Sequence, residues 1–122
     1  STISKEVDVP PSASTVGSFN VAVLVRNAAS AVKTGLEQRD TAIKAGALGA
    51  TTLIFSRNRL TMPSVEGKDA FKGISSIHEM LVSKLDPKEN DVIIIGSGEK
   101  KRLAELGAKM AAFELLTHLT LA

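Results

Sequence analysis

Cysteine, tryptophan and tyrosine are absent from these 122 residues. The lack of cysteine excludes disulfides, thiolate metal sites and thiol nucleophiles, so stability has to come from packing. With no Trp or Tyr and only Phe19, Phe55, Phe71 and Phe113, little is available for stacking on nucleobases. The two histidines, His78 and His118, lie far apart without a ligand-like neighbour, which speaks against a transition-metal site. Fifteen Lys and Arg against 13 Asp and Glu leave a formal charge of +2, so a nucleic-acid partner is not expected. No apolar run approaches the roughly 20 residues of a membrane span. The opening residues also lack the pattern of a secretory signal. The expected location is therefore cytoplasmic, with no membrane partner. Internal repeats and low-complexity tracts are absent as well.

The chain is organised around DVIIIGSGEKKR, residues 91–102. Residues 92–95 are consecutive and apolar, and they run into Gly96-Ser97-Gly98 and then a charged stretch. A β-branched run without polar alternation suits a strand covered on both faces, as in the middle of a parallel or mixed sheet. Residues 19–25 and 51–55 form two further strands, and residues 2–9 alternate like an edge strand or ordered arm ahead of Pro10-Pro11. Asn27 is placed to cap a helix whose apolar residues include Val32, Leu36 and Ile43, with a break invited at Gly35. Residues 64–73 are polar and predict a loop. Ile74, Ile77, Leu81 and Leu85 follow at helical spacing until Asp86-Pro87 ends the run. A last helix begins near Glu99, and THLTLA closes the chain with an alternation that suits fraying or a short strand.

The expected class is α/β. It is a single small domain over 1–122, with an arm and loop over 1–17 and a core over 18–122. A mixed or mostly parallel sheet has helices packed on it and residues 92–95 as the central strand.

The strand-to-helix turn is a candidate site for an anionic ligand, phosphorylated or carboxylated, held by a small binding module or small enzyme, and a plain turn with a solvated basic face explains the same residues. Glycines let a ligand approach the backbone, and a helix start exposes amides with a favourable dipole. The candidate anion-binding residues are Gly96, Ser97, Gly98, Glu99, Lys100 and Lys101. Neither the nucleotide-hydrolase phosphate loop nor the dinucleotide fingerprint is matched, because Glu99 follows Gly98 and Lys101 stands where the latter needs Gly or Ala. Arg57, Asn58 and Arg59 form a second candidate cluster, explained more simply by an exposed hairpin tip. They would reach Ser97 only if the two strand ends share one edge of the sheet. Arg26-Asn27 is a third polar pair at a strand end. No cofactor and no reaction is indicated. The alternative is a homo-oligomeric assembly protein without catalytic activity, built through the arm and the Ala- and Met-bearing helices.

Overall fold

The computed structural model describes residues 3–10, 18–63 and 75–121. The predicted loops at 12–17 and 64–73 lie outside these residues. In chain order the elements are β1 (Ile3–Val9), β2 (Phe19–Val25), a 3-10 turn (Ala29–Ala31), α1 (Leu36–Lys44), β3 (Gly49–Ser56), β4 (Arg59–Thr61), α2 (Ser75–Leu85), β5 (Val92–Gly98) and α3 (Lys101–Leu121).

The five strands form one sheet in the order β1-β2-β5-β3-β4, and every neighbouring pair is antiparallel. The expected mostly parallel α/β sheet is therefore corrected to an all-antiparallel sheet in a small α+β domain. β2 and β3 run in the same direction, as a strand-helix-strand crossover requires, but β5 inserts between them in the opposite sense. The misleading signal was the unbroken apolar run. It reports burial on both faces, which helices on either side of an antiparallel sheet provide equally well. All seven residues of β5 are buried.

Two cores lie on the two faces of the sheet. Ile93 and Ile95 of β5 join Ala22, Leu24, Leu53 and α2 residues Ile77, Leu81 and Leu85. Val92 and Ile94 join Val23, Val25 and the α3 residues Ala108, Ala111, Ala112 and Leu115. The alternation along β5 follows from the two-residue period of a strand. α1 lies beside α3 on the second face, where a Cβ on Gly107 would come 2.6 Å from the Ala47 Cβ, just past α1, and 3.3 Å from the Ala42 Cβ of α1.

The local expectations are met in part. The alternating segment takes the edge-strand form of its two readings, as β1 pairs with β2 from Ile3 to Val9 with one irregularity between Ile3 and Lys5. The first helix breaks at Gly35, whose φ of 88° puts it in the left-handed region before α1. Asn27 also has positive φ, 51°, and caps no helix; its amide donates to Asp91 Oδ1 at 2.8 Å. The closing segment is helical through Leu121.

Candidate functional site

Gly96 and Gly98 are residues of β5 and do not form the turn, which falls at Glu99 and Lys100, both exposed. A Cβ on Gly96 would stand 2.2 Å from the Ala104 carbonyl oxygen and 2.7 Å from the Ala108 amide nitrogen. One on Gly98 would stand 2.8 Å from the Ala104 nitrogen. Both glycines thus allow α3 to lie directly on the central strand, and α3 occupies the space that a ligand would need. Ser97 is 1% exposed and points to the opposite face, where its hydroxyl donates to Asn20 Oδ1 at 2.7 Å. Its carbonyl accepts from the Leu48 amide at 2.7 Å. Of the predicted anion site, Glu99, Lys100 and Lys101 are open to solvent, and the Lys101 ammonium pairs with Asp8 of β1 at 3.2 Å.

Arg57 and Asn58 are the two turn residues of the β3-β4 hairpin, with φ of 54° and 64°, and Arg59 starts β4. Such a pair of left-handed residues is the geometry that suits a two-residue hairpin. β3 pairs with β5 so that Gly49 faces Ser97 while Ile54 faces Val92. The hairpin tip therefore lies at the other end of β5 from Gly98, and the structure does not bring Arg57, Asn58 or Arg59 to Ser97.

Arg57 and Arg26 instead share the Val92 end of the sheet, where two acidic residues organise the backbone. Asp91 is 2% exposed and accepts from Arg26 Nη1 at 2.7 Å and from the amides of Asn27 and Lys88 at 2.8 Å each. Arg26 Nη1 also donates to the Asp86 carbonyl at 3.1 Å. Glu89 accepts from the Ser56 hydroxyl at 2.9 Å and the Arg57 amide at 3.0 Å. These carboxylates have their donors within the fold, so the cluster fastens loops. The acidic residues just before the apolar run were the available sequence signal. His78 also fastens elements together. Its Nε2 accepts from the Leu60 amide at 3.2 Å, which requires that nitrogen to be unprotonated and ties α2 to β4.

Two features escaped the sequence reading. A polar chain crosses the α1-α3 layer, in which the Thr52 hydroxyl reaches Gln38 Oε1 at 3.5 Å, Gln38 Nε2 donates to Glu114 Oε1 at 2.9 Å, and Glu114 Oε2 lies 2.5 Å from His118 Nε2. A cleft of about 120 Å³ opens between the start of α1 and β3, with Thr34, Leu36, Arg39, Thr52, Met62 and Pro63 around it. It exists because β4 pairs only with Ile54 to Ser56, which leaves the earlier part of β3 without a β4 neighbour. Among the described residues no group of three or more His, Asp or Glu side chains converges as a metal site would require.

An all-antiparallel sheet with helices on both faces and a buried central strand defines a small α+β domain. Residues 16–115 match the family described as a domain of unknown function, DUF4443, and the chain belongs to that family. The chain is also similar in structure to a hypothetical protein, PH0730, from Pyrococcus horikoshii OT3, with a TM-score of 0.75 at 22% identity over 99% of this chain. It spans 64% of that protein's chain. No curated protein matches the sequence. No helix among the described residues is long and apolar enough to cross a membrane.

Proposed function

We propose that this domain is an assembly module, in which two copies pair through the outer side of α3. The observation that carries the reading is a stripe of three large apolar residues, Leu106, Met110 and Phe113, exposed at 45%, 41% and 56%. Spacings of four and three put them on one side of the helix, away from the alanines that bury against the sheet. A contiguous exposed apolar stripe of this kind is a common mark of a protein contact. A two-fold axis at Met110 with antiparallel helices sets Leu106 opposite the partner subunit's Phe113, so the stripe is complementary to itself. The arm and the α3 alanines, the other expected routes to an oligomer, are engaged inside the chain on β2 and on the sheet. A cytoplasmic location forms part of this proposal, supported by the absence of cysteine.

Light scattering at micromolar concentration tests the reading. The expected mass is twice 12.8 kDa, and Phe113→Glu should return it to 12.8 kDa with an unchanged circular dichroism spectrum. A single-copy mass for the unaltered chain rejects the proposal.

A second reading keeps a small anionic ligand at the start of α3. What favours it is the exposed Lys100 and Lys101 and a first helical turn free of acidic residues. It requires phosphate to shift the amides of residues 99–102, which the assembly reading does not.

A further inference from the structure

The cleft beside α1 combines one unpaired cation with hydroxyl donors and apolar walls. Arg39 is the charged side chain in its lining, and among the described residues it makes no ion pair. The Thr34 hydroxyl accepts from the Leu36 amide at 3.2 Å and has no acceptor for its own proton among the described residues. Thr52 is 3% exposed, and its hydroxyl reaches Gln38 at 3.5 Å, the outer limit of a hydrogen bond. Thr52 lines the cleft with Gly35, and a Cβ on Gly35 would lie 3.5 Å from the Thr52 Cβ and 3.7 Å from Thr52 Oγ1. Leu36, Met62 and Pro63 supply the apolar wall.

We propose that this cleft binds a small monocarboxylate bearing a short apolar tail, with Arg39 as its charged contact, the Thr34 hydroxyl as a donor, and Thr52 as a second donor when its long bond to Gln38 is exchanged for the ligand. A guanidinium presents two parallel N–H groups that match a carboxylate. Charge selects the ligand, because one guanidinium balances one carboxylate, and a phosphate dianion would keep an uncompensated charge in a cleft lined by a single cation. Size agrees, since about 120 Å³ is well below the roughly 300 Å³ at which sites for drug-sized ligands begin.

Titration of the 15N-labelled chain with propionate, and separately with inorganic phosphate, tests this. Propionate should give saturable amide shifts at Gly35, Leu36, Arg39 and Thr52, with a dissociation constant of roughly millimolar order. Arg39→Gln, at an exposed position, should fold normally and weaken binding about tenfold. Thr52→Val should weaken it less. The proposal is overturned if propionate causes no saturable shift in the cleft, if Arg39→Gln leaves the shift intact, or if phosphate binds there as well as propionate.

Discussion

At the scale of residues, small side chains and charged ones set the tolerances. Gly96 is required by closeness: its backbone is ordinary strand, and what a side chain would meet is the α3 backbone. Ala104 and Ala108 cannot yield without moving the helix. Gly96→Ala should therefore cost about 3 kcal/mol or more in urea unfolding, at the upper end of overpacking effects. An unchanged midpoint would mean that α3 is free to shift. Asp91 is held by the opposite logic, since it must keep a full set of acceptor positions. Three N–H groups converge on its two oxygens. Asn in its place would turn an NH2 group toward one of them, and Asp91→Asn should cost about 2 kcal/mol by the same measurement.

At the scale of elements, β1 is an edge strand with one neighbour in the sheet. Lys109 of α3 reinforces it by reaching Glu105 on its own helix at 2.8 Å and Glu6 of β1 at 3.1 Å. The hydrogen bond to Glu105, followed by that to Glu6, holds the ammonium above the ordinary lysine value. A raised pKa means that the folded state binds this proton more tightly than the unfolded chain does. The contribution is complete below the unfolded value of 10.5 and is lost as pH climbs through the folded one. Thermal melts followed by far-ultraviolet circular dichroism between about pH 9 and about pH 12 should show a steeper alkaline loss of Tm in the unaltered chain than in Lys109→Met. Parallel curves would mean that the contact does not hold β1 to α3.

At the scale of the whole molecule, the interior is organised by two helices delivering strands into one another's gaps. α1 links β2 to β3, and the chain then returns through α2 to place β5 between them. Such a sheet leaves two edges, of which β1 is long and carries Lys5, Glu6 and Asp8, while β4 is short. Charges and shortness both discourage edge-to-edge pairing. Association through the α3 stripe is then the route open to the proposed assembly, and the mass measurement with Phe113→Glu belongs at this scale. The hypothetical protein it resembles is longer, as this chain spans 64% of it, so what the additional length does there is a separate question from what this domain does.

Local chemistry was legible in the sequence. Residues 92–95 announce a buried strand because no polar residue interrupts them, Gly35 announces a break because it suits a left-handed φ, and Arg57-Asn58 admits a hairpin tip because Asn tolerates positive φ. Strand direction was not legible, since burial on two faces leaves the same apolar run whether the neighbours are parallel or antiparallel. That single ambiguity decided the candidate site. With β3 antiparallel to β5, the Arg57 cluster falls at the far end from Ser97. With α3 lying on Gly96 and Gly98, glycines that suit a ligand's approach serve a helix's approach, because a missing Cβ does not specify what fills its place. The sequence by itself determined that residues 92–95 are buried on both faces and where the backbone bends. Only the tertiary structure decided which ends meet, because antiparallel pairing reverses one strand against the next.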